Sequence, residues 1–271
     1  VRDIHFGLAN LYTALAADRV VFNSEFHRES FVAAAEELVR GMPDFRPERL
    51  APRLRERSAV LGLPLDLAGM DAARRPARQP WILWNHRWEE DRAPGEFFTA
   101  METLDARARR GEAPDFRLVV VGQTYTTKPA IFDAARGSLA HRIERWGFVE
   151  SRREYLELVS RCAVVVSTSR HEFFGVSVME AIHLGCLPIL PRRLAYPALA
   201  GGDEGVLYDD PGEIPDRAAA LVSMAIDRRD EAERRLAPMR ERIRAHDLPG
   251  VVSTWDRWIE ELAESVPISA S

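Results

Sequence analysis

The sequence predicts an α/β fold: one complete doubly wound domain, preceded by the tail of a second α/β domain. Three observations predict it. Short β-branched runs recur at Arg19–Phe22, Trp81–Trp84, Leu118–Val121, Ala163–Val166 and Leu187–Leu190. The middle three lack polar/apolar alternation, the pattern of strands buried on both faces of a parallel sheet. Helix-like stretches separate them, and such a βαβαβ alternation specifies a doubly wound sheet.

Taken in order, residues 1–72 hold a helix over about Gly7–Ala17, the Arg19 strand, a helix over about Glu25–Gly41 and a Pro/Arg-rich segment. One strand with flanking helices cannot close a sheet, so this stretch is expected to be the C-terminal remnant of a domain whose beginning is absent. The start, Val1-Arg2-Asp3-Ile4-His5, has neither an initiator Met nor a signal-peptide pattern. A polar, non-periodic stretch from Gly69 to Gln79 marks the boundary. The complete domain is then 77–247. In it, Pro94 opens a helix reaching about Arg110, with Gly111 past its end. Ser151 and Glu154 make a capping box ahead of Tyr155-Leu156-Glu157-Leu158-Val159. A helix over about Val176–Leu184 ends at Gly185 in the C′ role. The last segment, 248–271, carries a helix over about Pro249–Ser265. Its Val251, Val252, Trp255, Trp258, Ile259 and Leu262 form an apolar face that needs a partner.

Composition narrows the class. No apolar run approaches the ~18 residues of a membrane-spanning helix, so no membrane is expected. Two cysteines, Cys162 and Cys186, lie in apolar context without metal-ligand spacing. They read as buried free thiols, which places the protein in a reducing, cytoplasmic compartment. The net charge of −5 is unusual for a protein living mainly on phosphate-backbone contacts. Charge alone leaves room for a local basic patch. The pairs Arg74-Arg75, Arg152-Arg153 and Arg192-Arg193 read first as solvated surface.

The chemistry concentrates between Cys162 and Pro191. An apolar strand ends at Ser167-Thr168-Ser169, followed by Arg170-His171-Glu172-Phe173-Phe174-Gly175 and the Val176 helix. In open α/β sheets ligands bind outside the carboxyl ends of the strands. A glycine turn lets a ligand approach the backbone, and the helix N-terminus offers N–H groups to an anion such as a diphosphate. Glu172 and Glu180 are too widely spaced for a retaining-glycosidase pair. Those carboxylates stand ~5 Å apart, whereas eight helical steps cover ~12 Å. Two hydroxyl-binding carboxylates along one elongated ligand fit better. His171-Glu172 is no zincin motif, since Gly175 stands where the second histidine belongs. There is no Walker loop, no G-x-G-x-x-G after a strand and no serine nucleophile elbow. A second constellation, Asn85-His86-Arg87-Trp88-Glu89-Glu90-Asp91-Arg92, follows the Trp81 strand. Arg87 and Arg92 there offer permanent charge to a leaving diphosphate. Trp81 and Trp84 are expected to pack rather than stack on a ligand.

Glu172-x7-Glu180 with Phe174-Gly175 between, then Ala181 and Leu184-Gly185-Cys186-Leu187-Pro188, resembles the signature of the family 4 retaining glycosyltransferases of GT-B fold. That resemblance implies Glu172 beside the donor sugar and Glu180 on the ribose hydroxyls. It implies Arg87 and Arg92 on the diphosphate with the N–H groups of Gly175 and Val176, Phe174 lying in the same donor loop. Arg92 stands where the family carries a lysine. Asn85 and His171 would line the sugar pocket. No metal and no cofactor is implied beyond a nucleotide-sugar co-substrate.

The strings Ile82 to Glu89, Trp146-Gly147-Phe148, His171 to Ser177, Leu194-Ala195-Tyr196-Pro197 and Gly7 to Ser24 resemble, more narrowly, the tRNA-queuosine mannosyltransferase family. The likeness runs from about residue 3 to 210. It implies GDP-mannose as donor and queuosine at the wobble position of an aspartate tRNA as acceptor. It also implies that roughly the first hundred residues of a normal member are missing, that the residues present bind donor without transferring sugar, and that the closing helix packs back towards the N-terminal domain. Two other readings stand beside it: a family 4 enzyme acting on a glycan, lipid or small molecule, and a nucleotide-binding module without transfer activity.

Overall fold

The computed structural model describes residues 4–43, 48–75, 78–125 and 128–265. Pro76 and Ala77 of the expected boundary, and 266–271 of the closing segment, lie outside the described residues. The chain divides into a smaller unit, Val1–Pro64 with Pro249–Ser271, and a larger one, Leu65–Leu248.

The smaller unit opens with α1 (Ile4–Ala16), β1 (Val20–Phe22), α2 (Glu25–Arg40), α3 (Leu50–Glu56) and β2 (Ser58–Val60). Ser24 caps α2 by accepting the His27 N–H at 3.1 Å. The expected single strand has a partner: β1 pairs parallel with β2, Val20 against Ser58 through Phe22 against Val60. Ser-Ala-Val is too short and too weakly apolar to show in the sequence. Leu11, Ala14, Val32, Ala35, Val39, Leu50, Ala51 and Leu54 form the local core.

The larger unit begins earlier than the sequence suggests. Asp66 accepts the Gly69 N–H at 2.8 Å and caps α4 (Leu67–Ala73). The polar stretch taken as a boundary is therefore partly a helix, and Leu67, Met70 and Ala73 are its buried side. Then follow β3 (Trp81–Trp84), α5 (Pro94–Arg109), β4 (Arg117–Val121), α6 (Ile131–Ser138), β5 (Ile143–Gly147) and α7 (Arg152–Ser160). The unit continues with β6 (Val164–Val166), α8 (Val176–Leu184), β7 (Leu187–Pro191), α9 (Tyr196–Ala200), β8 (Leu207–Tyr208), α10 (Ile214–Asp227) and α11 (Arg229–Arg244). Ser151 accepts the Glu154 N–H at 3.3 Å, one half of the expected capping box. Gly185 closes α8 at φ 110°, a conformation natural to glycine.

The six strands are parallel in the order β5-β4-β3-β6-β7-β8. Counted within the unit this is the 3-2-1-4-5-6 order of doubly wound sheets, with its switch point between β3 and β6. The wholly apolar runs occupy the centre and are buried throughout. The outer strands β5 and β8 went unpredicted. β5 reads Ile-Glu-Arg-Trp-Gly and is half-exposed, and β8 has two residues. Trp81 and Trp84 are core residues, as expected, and Trp88 is buried as well. Trp88 stacks on Phe132 with ring centroids 4.1 Å apart.

The last helix, α12 (Leu248–Ser265), groups with the smaller unit. Val251 is buried and Trp255 donates to the Gly62 carbonyl at 3.2 Å. Val252 and Ile259 are exposed, so the buried stripe is narrower than the six expected residues.

Candidate functional site

The switch point brings together the loops that follow β3 and β6, which carry the two sequence constellations. Two backbone ties clamp them: Arg170 N–H donates to the Asp91 carbonyl at 2.8 Å, and Thr168 Oγ1 donates to the Arg92 carbonyl at 2.7 Å. Between Arg92 and Pro94, Ala93 adopts a left-handed φ of 46°, a strained turn for a residue with a Cβ. That turn delivers Arg92 to the β6 loop.

Arg92 is the centre of the site. Its side chain is only 12% exposed, and Nη1 donates to the His171 carbonyl (2.7 Å), Glu172 Oε2 (3.0 Å) and Ser169 Oγ (3.3 Å). Nη2 makes no hydrogen bond to any described residue, so that edge of the guanidinium is available to an anion. Glu172 Oε1 in turn accepts the N–H groups of Phe174 (3.2 Å) and Gly175 (3.0 Å). The Gly175 amide, assigned to a diphosphate, is held by Glu172, while Val176 follows as the first residue of α8. Gly175 has φ 89°, and a Cβ there would stand 3.5 Å from the Tyr196 ring and 3.8 Å from Glu172 Cγ.

Glu180 lies on the second turn of α8 and is 6% exposed. Its carboxylate is gripped by Arg152, Nη2 to Oε1 at 2.5 Å and Nη1 to Oε2 at 3.1 Å. Sequence reasoning missed this partner. The available signal was a pair of cations in the first turn of α7, the end where the helix dipole disfavours them. Arg153 turns to Glu157 at the surface.

The other expected site residues are placed as follows. Asn85 is buried, and its Nδ2 donates to the Ser177 carbonyl (2.8 Å) and the Tyr155 hydroxyl (2.9 Å). It ties α8 and α7 to β3. Phe174 is buried edge-on against His246, centroids 4.9 Å apart. Arg87 is 44% exposed and paired with Glu89 (2.7 Å) and Asp91 (3.7 Å), and the same Asp91 oxygen lies 3.6 Å from Arg92 Nε. His171 contributes its carbonyl to Arg92, and its side chain is exposed.

His86, between Asn85 and Arg87, is buried against Trp84, and desolvation followed by the Arg92 charge lowers it from 6.5 to about 3. It is neutral in the folded protein. Above pH 6.5 it is neutral unfolded as well, so stability is complete there. Between pH 6.5 and 3 only the unfolded chain takes the proton, and stability is lost at about 1.4 kcal/mol per pH unit. Urea midpoints from pH 7.5 to 4 should fall less steeply for His86→Gln than for the parent. Parallel curves would refute this.

Neither of two large cavities sits at the switch point. One of ≈ 700 Å³ lies between α1 and α2 in the smaller unit, and one of ≈ 470 Å³ is lined by Gln79 and Arg161, at the amino ends of the strands. A third, ≈ 580 Å³, adjoins Arg87 but is walled by Glu89, Glu90 and Asp91 with Lys128, a poor match to an anion. Among the described residues no group of His, Cys, Asp or Glu is placed to hold a metal ion, and no helix is long and apolar enough to cross a membrane. Cys162 and Cys186 are buried free thiols, and burial pushes Cys186 up to about 12.

Residues 1–65 match the family described as tRNA-queuosine alpha-mannosyltransferase N-terminal, and residues 70–242 match Glycosyl transferases group 1. The tRNA-queuosine alpha-mannosyltransferase of Drosophila melanogaster is 30% identical over 208 residues, covering 73% of this chain and 54% of that protein. The GDP-mannose:cellobiosyl-diphosphopolyprenol alpha-mannosyltransferase of Xanthomonas campestris is 26% identical, covering 70% of this chain and 44% of that protein. The chain thus spans about half the length of these curated relatives. Among solved structures, the α,α-trehalose 6-phosphate synthase of Burkholderia multivorans superposes with a TM-score of 0.71 over 95% of this chain and 62% of that one. At 15% identity that likeness bears on the fold alone, which is of the GT-B type.

Proposed function

The chain belongs to the group 1 glycosyl transferases, and from that premise we propose that the protein is a retaining mannosyltransferase moving mannose from GDP-mannose to queuosine in an aspartate tRNA, in the cytoplasm. The observation that carries this reading is the match of residues 1–65 to the N-terminal family of tRNA-queuosine mannosyltransferases, joined to a switch-point site whose polar groups suit a nucleotide sugar. Arg92 and the N-terminus of α8 neutralise charge growing on the leaving diphosphate as its bond to the sugar breaks. Glu180 holds the ribose at one end of the donor. Glu172, already bound by one guanidinium and two amides, acts as an oriented acceptor for sugar hydroxyls. Arg87 supplies a second, outer cation once it leaves Glu89 and Asp91.

The test is to incubate the full-length protein with GDP-mannose and queuosine-containing tRNA and weigh the modified nucleoside. A gain of one hexose on queuosine is expected. The Xanthomonas relative, named for a polyprenol-linked acceptor, supports a second reading with a lipid-linked glycan as acceptor. Mannose appearing on such an acceptor, with queuosine unchanged, would replace the first reading by the second. GDP binding with transfer to neither would mark a binding module.

A further inference from the structure

Glu180 and Arg152 are unequally placed. The carboxylate is 6% exposed, whereas the Arg152 side chain is 55% exposed and forms the rim in front of it. The Arg152 guanidinium is itself held in place. It lies 5.4 Å from the centre of the Tyr155 ring, and the Tyr155 hydroxyl is fixed by Asn85 from the end of β3. Asp66, ahead of α4, adds its charge to the same guanidinium. An ion pair with one partner so exposed adds about 0–1 kcal/mol to stability. This much construction around it calls for another role.

The bond pattern supplies one. A carboxylate offers about four lone-pair sites. Arg152 binds each oxygen through a separate nitrogen, taking one site per oxygen and leaving one on each. The site left on each oxygen points outward, so the carboxylate, its plane fixed by the planar fork, still has a fixed direction in which to accept a ribose O–H. Without the fork, Glu180 would turn freely about its last bond and present that geometry only part of the time.

We propose that Arg152 is a positioning residue of the nucleotide site, holding the Glu180 carboxylate oriented so that it accepts a ribose hydroxyl and thereby distinguishes a ribonucleotide from its 3′-deoxy analogue. This rests on the reading of Glu180 as the ribose carboxylate. Sequence alone gives Arg152 no such role, since it reads there as one of several surface arginine pairs.

The test is calorimetric. The nucleoside diphosphate that binds tightest among GDP, UDP and ADP is compared with its 3′-deoxy analogue, on the parent, Arg152→Gln and Arg152→Lys. The parent should favour the ribonucleotide roughly tenfold or more, the scale of one hydrogen bond to a charged group. Arg152→Gln should bind the two analogues about equally, and Arg152→Lys, which keeps the charge and loses the fork, should fall between. A ribose preference unchanged in Arg152→Gln would overturn the inference and leave Glu180 on the ribose. A parent without ribose preference, or one that binds none of the three, would instead sink the reading of Glu180 on which it rests. Should Arg152→Gln fail to fold, as circular dichroism would show, Arg152→Lys decides alone: a preference reduced below the parent's supports the inference, and one equal to it overturns it.

Discussion

Replacing Arg92 by Met is expected to lower kcat/KM for sugar transfer about 10²- to 10³-fold, with little change in the donor's ground-state affinity. Loss of a single preorganised electrostatic donor has effects of that order. Arg92 is the cation that the fold itself delivers to the switch point: a left-handed Ala93, the Thr168 hydroxyl on its carbonyl and three acceptors on Nη1 fix its position before any ligand arrives. On the proposed reading, its unpaired edge would meet a charge that grows only as a diphosphate departs. Arg92→Lys should recover part of the rate. An ammonium keeps the charge but lacks the guanidinium's second terminal nitrogen, the edge left without a protein partner. Arg87→Ala should cost markedly less, because Arg87 is 44% exposed and its charge is already balanced by Glu89 and Asp91. Steady-state kinetics on the three variants check the ranking. Turnover by Arg92→Met within fivefold of the parent, or a larger loss in Arg87→Ala, would remove Arg92 from the chemistry.

The contrast between those two arginines shows where the sequence stops being legible. Both follow β3 and both suit a phosphate, and spacing alone ranks them equally. What separates them is the carbonyl of His171 and the carboxylate of Glu172, 79 and 80 residues further on, which the β3–β6 pairing brings to Arg92. The same holds for Arg152 and Glu180, joined across 28 residues by helix packing. Central strands were readable because burial on both faces leaves an unbroken apolar run. β5 was not, since an edge strand can keep Glu144 and Arg145 in water. The first turn of α4 was hidden for a different reason: Asp66 lies just outside the stretch that looked like a linker, and its capping of Gly69 decides the helix. The strand-end position of Asn85 puts its backbone at the switch point, directly after β3. Its side chain was claimed instead by a helix carbonyl and a buried tyrosine, neither of which the local string reveals.

Glu180→Ala is expected to weaken binding of the nucleotide roughly 10- to 100-fold, the range for losing charge-assisted hydrogen bonds to one carboxylate. The same variant should unfold within about 1 kcal/mol of the parent. The two expectations belong together. Removing one member of a fully buried pair would strand the other as an uncompensated charge and destabilise the fold severely. Here the member left behind is Arg152, whose side chain is 55% exposed and can turn to water. The stability cost is therefore small, and the affinity cost isolates what the carboxylate does for a ligand. Calorimetric titration beside urea denaturation separates them. Wild-type affinity in Glu180→Ala would take the ribose away from α8. Lost affinity accompanied by a loss of several kcal/mol in stability would mean that Glu180 chiefly holds α7 against α8, and that the nucleotide site is disturbed only at second hand.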